Sequence, residues 1–328
     1  MKPLIGIHHV TAITSSAEKI YDFFTNILGL RLVKKTINQD DIHTYHLFFA
    51  DDKGSAGTDM TFFDFKGINK AIKGTNEIAK TGFRVPNDKA LAYFKIRFEK
   101  YGIDHQNITS LFEKQILEFT DFDGQEYFLI SDQDDQGVPS GTPWLKGPIP
   151  NEVAITGLGP IFLRVKDVAA MKNALENILT FKVVKTEKNL VLLETGAGGN
   201  GASVILEHDV TSLDAIQGYG GVHHVAFRID DQNVLNQWIE HFNQHRISHS
   251  GYVDRFYFQS LYTRLYPKIL FELATEGPGF IDDEESYETL GETLALPPKF
   301  RNQRARIEQL VRHIDTVRSN KAFVKEYL

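Results

Sequence analysis

The chain has 328 residues, 42% hydrophobic and 24% charged, with 24 Phe against 2 Trp and 3 Met, no Cys and a net charge of −7. At roughly 100–200 residues per domain this length gives two domains or one large one, and so aromatic a chain buries a sizeable core, which excludes global disorder. The missing cysteine excludes a disulfide scaffold, a thiolate zinc site, an iron–sulfur cluster and a cysteine nucleophile, and the acidic balance argues against a nucleic-acid partner.

No apolar run approaches the ~18 residues that span a membrane, so no membrane partner is expected. Met1-Lys2-Pro3-Leu4 leads into a strand-like segment without a signal-peptide apolar region, and the expectation is a cytoplasmic protein. The run Ile5–Ile13 is short, apolar and β-branched, as a largely buried strand requires. Ser15-Ser16-Ala17-Glu18 is a capping-box pattern, expected to use the Ser15 hydroxyl. Ile20, Phe23, Phe24, Ile27 and Leu28 then recur at helical spacing, and Gly29 stands where a left-handed cap belongs. Three β-rich runs follow, Leu30–Thr36, Thr44–Ala50 and Asp59–Phe65. The module is strand, helix and three strands.

This module recurs. At an offset of 151, Gly6 meets Gly157, Ile27-Leu28 meets Ile178-Leu179 and Val33-Lys34 meets Val184-Lys185. At an offset of 144, Phe83-Arg84-Val85 meets Phe227-Arg228-Ile229, Phe94 meets Trp238 and His105 meets His249. Four modules result, at about 4–65, 78–131, 153–208 and 221–276, giving an α+β fold of four βαβββ units in mixed, curved sheets. The Gly- and Pro-rich stretch 136–150 is read as a linker between a two-module domain at 1–135 and another at 151–281. The glycine-dense loop 196–201 lacks GxGxxG spacing and reads as a hairpin connection. A tail at 282–328 carries a predicted amphipathic helix over 301–318, with Ile307, Leu310, Val311, Ile314 and Val317 on one face. That face would pack on the domains or across a homodimer.

Chemistry concentrates in modules one and four. Gly6-Ile7-His8-His9-Val10 and Gly221-Val222-His223-His224-Val225 open their first strands, and Glu272 lies within the apolar run Lys268–Ala274. Neighbours in a strand face opposite ways, so each pair should offer one inward and one outward imidazole. A carboxylate in so apolar a strand is costly unless paired or metal-bound. Two histidines and a carboxylate form the facial set of a non-haem Fe(II) centre, with open positions for substrate and dioxygen; Mn(II) and Zn(II) accept similar donors. His9 maps to Pro160 at the first offset, and His224 and Glu272 map to Lys80 and Phe128 at the second, so one metal per chain is expected. Glu207 is a rival acid, and Phe62-Phe63 take the inward positions where module one has Asp64.

These residues resemble a known family. Paired strand–helix–three-strand modules mark the vicinal oxygen chelate superfamily of glyoxalase I, bleomycin-resistance proteins and type I extradiol dioxygenases. Gly6–Thr14, Ile27–Lys35, Thr44–Leu47, Val222–Arg228, Asp254–Ser260, Phe271–Phe280 and Leu296-Pro-Pro298 resemble its hydroquinone-specific ring-cleaving dioxygenases. The resemblance implies two glyoxalase-like domains and insertion of O2 into a small aromatic diol or hydroquinone. It selects His9, His224 and Glu272 as metal ligands, leaving His8 and His223 behind them or facing outward. It implies Tyr262 and His249 as catalytic groups, with Tyr257, Arg255 and Phe63 around the substrate. The sequence departs from the pattern at Arg264–Lys268, and the extradiol enzymes' histidine shortly before Tyr262 is missing, with His249 the nearest. One ligand histidine comes from each half of the chain, so module one must face module four and the metal would bridge the two domains. A glyoxalase-type lyase or isomerase, and a metal-free small-molecule binding protein, are the competing readings.

Overall fold

The computed structural model describes every residue except Asp283. Each module is a strand, a helix and three strands. The first holds β1 (Ile7–Ile13), α1 (Ala17–Asp22), β2 (Arg31–Ile37), β3 (Tyr45–Ala50) and β4 (Asp59–Phe63). The second holds β5 (Glu77–Val85), α2 (Asp88–Tyr101), β6 (Thr109–Leu111), β7 (Lys114–Thr120) and β8 (Glu126–Ser131). The third holds β9 (Gly157–Val165), α3 (Val168–Asn173), β10 (Lys182–Glu187), β11 (Leu190–Glu194) and β12 (Ser203–His208). The fourth holds β13 (Gly221–Ile229), α4 (Gln232–Gln244), β14 (His249–Asp254), β15 (Gln259–Arg264) and β16 (Leu270–Thr275).

The repeat extends to fine detail. Helices α1 and α3 both run on into a π-helical turn, Phe23–Ile27 and Ala174–Ile178, at the same offset of 151. Helices α2 and α4 are capped by Asn87 and Asp231, 144 residues apart, each accepting from a main-chain amide three residues on. Gly29 adopts φ +72° after the first π turn, and a Cβ there would lie 2.7 Å from Ile149. The cap of α1 is Ser16 rather than Ser15, because the Ser15 hydroxyl and amide are both taken by Asp123.

In every module the first strand pairs in parallel with the last, so the helix and two strands form the crossover between them. Antiparallel pairing of β1 with β13, and of β5 with β9, then fuses modules into two eight-stranded sheets, ordered β14-β15-β16-β13-β1-β4-β3-β2 and β10-β11-β12-β9-β5-β8-β7-β6. The sheets therefore join module one to four and module two to three, and are not the two sequential halves of the chain. Strand β1 sits mid-sheet and is buried throughout, so its polar residues His8, His9 and Thr11 are buried along with its apolar ones. The main core lies between the sheets. Phe24 of the first π turn touches Phe49 and Phe62 of one sheet and Phe83 and Tyr127 of the other. Truncating a ring so placed costs about 3–5 kcal/mol.

The tail differs from expectation. Its α-helix, α5 (Arg304–Leu310), follows a 3-10 turn at Pro298–Gln303 and ends where Val311 becomes extended. Beyond it, carbonyls that a helix would have used accept from Tyr45 (at Arg312) and Lys35 (at Ile314). Ile314, Thr316 and Arg318 alternate inward against module one, so tertiary hydrogen bonds override the helical periodicity.

Candidate metal centre

Pairing between β1 and β13 slips twice, and the slips build the site. Ile7 faces Phe227 and His9 faces Ala226, so His8 is an extra residue on β1. Thr11 faces His224 and Ala12 faces Val222, so His223 is the extra residue on β13. A bulged residue leaves the ladder and re-aims its side chain. The expected outward imidazole of each pair is therefore turned back onto its neighbour. His8 Nδ1 lies 2.9 Å from His9 Nδ1, and His223 Nδ1 lies 2.8 Å from His224 Nδ1.

The partners fix the protons. His8 Nε2 is 3.0 Å from the Thr275 carbonyl, which can only accept, so His8 is protonated at Nε2 and its Nδ1 accepts from His9. A neutral His9 therefore presents a bare Nε2. Burial pushes the pKa of His8 and of His223 down to about 3, so both stay neutral at ordinary pH.

Register brings in the acid. Asp59, His9, Ala226, Glu272 and Tyr262 are successive cross-strand partners on five adjacent strands, and Thr61, Thr11 and His224 form the next row. His9 Nε2, His224 Nε2 and Glu272 Oε2 then converge, at 3.2 Å between the nitrogens and 3.1 and 2.9 Å from them to the oxygen. All three residues are buried, and they are the only such group among the described residues. Ser260 donates to Glu272 Oε1, whereas Oε2 is buried without a hydrogen bond. Burial raises the pKa of Glu272; protonated imidazoles at His9 and His224 would outweigh it and hold the carboxyl well below its usual range, and with Nε2 bare that positive charge has to come from a cation. Three donors at right angles on a metal with bonds of about 2.1–2.2 Å stand about 3.0–3.1 Å apart. The observed spacings, the bare Nε2 and the orphaned oxygen all fit one octahedral face.

The triad opens on a cavity of about 380 Å³, lined by Phe63, His223, Arg255, Tyr257 and Tyr262 among others. The Tyr262 hydroxyl accepts from Arg255 Nε at 3.1 Å, and Arg255 also pairs with Asp40 at 3.0 Å. Burial raises the pKa of Tyr262 and of Tyr257, keeping both phenols protonated. Phe63 faces the cavity, while Phe62 faces the core between the sheets. His249 does not line the cavity: it sits at the start of β14 against Phe242, donating to Asn243 and accepting from the Gly251 amide. Glu207 lies in the other sheet, paired with Arg164 at 2.8 Å. There Lys80, paired with Glu118, and Phe128 occupy the places of His224 and Glu272.

Sequence reasoning passed over three residues here. Thr11 and Thr61 are buried and share a 2.8 Å hydrogen bond, and His46 reaches Thr61 from β3 at 2.9 Å. Their one sequence signal is alternation, Thr11 after His9 and His46 before Phe48.

The chain matches the Glyoxalase/Bleomycin resistance protein/Dioxygenase superfamily over residues 6–104 and 157–276. "Putative ring-cleaving dioxygenase MhqA" of Bacillus subtilis (strain 168) is 41% identical over 314 residues, covering 94% of this chain and 98% of that protein. "Chlorohydroquinone/hydroquinone 1,2-dioxygenase" of Sphingobium indicum is 29% identical over 301 residues, covering 90% and 92%. A crystal structure described as a "putative dioxygenase from Bacillus subtilis subsp. subtilis str. 168" superposes with a TM-score of 0.87 at 33% identity, covering 97% of this chain and 99% of that one. Glyoxalase I from Zea mays shares the fold, with a TM-score of 0.59 at 13% identity over 83% of this chain and 92% of that one.

Proposed function

This chain belongs to the Glyoxalase/Bleomycin resistance protein/Dioxygenase superfamily, and we propose that within it the protein is a metal-dependent ring-cleaving dioxygenase of extradiol type acting on a hydroquinone or catechol. The observation that carries the reading is the convergence of His9, His224 and Glu272 on one face, opening into an aromatic-walled cavity. The names of the relatives point the same way. Fe(II) is the metal that best suits two imidazoles and a carboxylate, with Mn(II) and Zn(II) as competitors; when bound, it supplies redox chemistry with O2 and positions for the substrate oxygens.

The chain's own residues bind and orient. His8 and His223 hold the ligand imidazoles through Nδ1, so their Nε2 atoms need no reorganisation. Tyr262, one strand from Glu272, turns its hydroxyl toward the Arg255 guanidinium, and the two together hold a phenolic oxygen of the substrate. Phe63 and Tyr257 wall the ring and keep water from it. Both atoms of O2 enter the ring, whose carbon–carbon bond opens. A lyase or isomerase reading calls for a fourth protein ligand, and the group holds three.

The test is oxygen uptake by protein loaded anaerobically with Fe(II), given hydroquinone or catechol. One O2 consumed per ring opened is expected. No uptake with either diol, or a zinc-loaded protein that isomerises a thiol adduct without O2, would overturn the proposal.

A further inference from the structure

A second cavity, of about 260 Å³, adjoins the first, and His223 and Leu270 line both. Arg264 and Leu270 are cross-strand partners on β15 and β16, in unbroken register two residues along from Tyr262 and Glu272, so they stand on the triad's face of the sheet. The turn that joins these strands, Arg264–Lys268, is where the sequence departs from the pattern it otherwise resembles. Arg264 and Lys268 line the second cavity together with Glu77 and Asp214. Both acids are taken, Glu77 by Arg164 at 3.3 Å and the Gly74 amide at 3.1 Å, Asp214 by Lys166 at 2.8 Å and Asn76 at 3.0 Å. Neither cation has a carboxylate within pairing distance among the described residues: Arg264 gives one hydrogen bond, to the Lys268 carbonyl at 2.8 Å, and Lys268 acts on Asp214 only from further off. We propose that Arg264 and Lys268 make this cavity a carboxylate site, whose natural occupant is the ring-opened product released across the His223–Leu270 partition.

Ring cleavage creates the group that suits this site. Both atoms of O2 enter the ring as the bond beside one hydroxyl-bearing carbon breaks. That carbon becomes a carboxylate, its proton passing to water, and its neighbour becomes an aldehyde. Each of the two carbons gives up two electrons, and O2 takes all four. A neutral diol, whether hydroquinone or catechol, thus leaves as an acyclic anion. The first cavity holds such an anion poorly. The cation in its lining, Arg255, is committed to Asp40 and Tyr262, and Asp40 and Asp41 there repel a carboxylate. The second cavity offers a guanidinium with N–H groups to spare and an ammonium, both of which bond a carboxylate by charge-assisted hydrogen bonds.

The inference rests on the dioxygenase reading for the identity of the occupant, but not for the site. The probe is cis,cis-muconate, an acyclic dicarboxylate, titrated into zinc-loaded protein labelled with 15N-arginine at about 0.15 M salt, where a diffuse charged patch is screened. Muconate should shift the Arg264 Nε–H resonance. Because both cations are exposed, its Kd should weaken only about 10-fold in Arg264→Gln/Lys268→Gln. The dimethyl ester of muconate should bind the two proteins alike. An Arg264 resonance that muconate leaves unmoved, a Kd within twofold in the double variant, or an equal loss for the ester would overturn the proposal. With Fe(II) and an accepted diol, muconate should inhibit wild type about 10-fold more strongly than the double variant. Equal inhibition of the two would place the carboxylate at the metal and equally overturn it. Wild type inert toward every diol, with the Arg264 shift present, would count against the function and not against the site.

Discussion

Replacing His8 by Phe tests how the bulge at β1 prepares the site. The phenyl ring keeps the packing on Phe258, whose centroid is 5.1 Å from that of His8, but removes the Nδ1 acceptor 2.9 Å from His9 Nδ1. In metal-free protein His9 can exchange its proton to Nε2 and recover a partner. Ligation locks the proton on Nδ1, so the loaded state alone carries a buried donor with no acceptor. That costs about 1–3 kcal/mol, or roughly 5–150-fold in metal affinity, in line with the 10–100-fold typical of groups behind a metal ligand. The Thr275 carbonyl also loses its donor, which costs about 1 kcal/mol of stability in both states. The assay is competition between the protein and a chelator for Mn(II), with thermal unfolding of the metal-free form as a control. A Kd within twofold of wild type, in a variant that folds, would refute the tautomer argument.

Three other outcomes follow from named contacts. Between about pH 6.5 and 3 the unfolded chain binds protons at His8 and His223 that the folded metal-free protein refuses, so stability must fall as pH is lowered, by up to ~1.4 kcal/mol per pH unit for each group. Urea unfolding at pH 7 and 5 should show a smaller loss for His8→Phe/His223→Phe than for wild type, and equal losses would disprove the burial effect. Tyr262→Phe removes the hydroxyl bonded to Arg255 and should raise KM for the diol about 10-fold at unchanged metal content; an unchanged KM removes Tyr262 from the substrate site. Lys34 is buried 2.7 Å from Glu285 and 5.2 Å from the centre of the Tyr257 ring, so Lys34→Met should cost about 3–5 kcal/mol by stranding that carboxylate. Lys34→Met/Glu285→Gln should regain most of it in calorimetry, and a single variant as stable as wild type would refute this anchoring of the tail.

Much of this molecule was legible in its residues, and the gaps have physical causes. The four modules showed themselves because helix caps, periodicity and β-branched runs are local, and they recur at fixed offsets down to the π turns at Phe23 and Ala174. That module one must meet module four followed from His9 and His224 lying in different halves. That they meet through the β1–β13 ladder, within one sheet, depends on long-range pairing no local pattern encodes. The bulges at His8 and His223 were hidden for the same reason: an inserted residue leaves the alternation of a strand almost unchanged, yet reverses where its side chain goes. His249 looked well placed because it stands near Tyr262 in sequence, but its ring turned to α4 and Asn243. In the tail, Ile307, Val311 and Ile314 suit a helix, while Ile314, Thr316 and Arg318 suit an extended strap, and contacts with Lys35 and Tyr45 decide between them.

Metal content tests the central claim most directly, because the site exists only where β1 meets β13 and β16. Protein purified without air, loaded with Fe(II) and desalted should hold one iron per chain. His9→Ala should hold almost none while keeping its fold by circular dichroism. A folded His9→Ala protein that retained its full iron would contradict the triad and the joining of modules one and four around it.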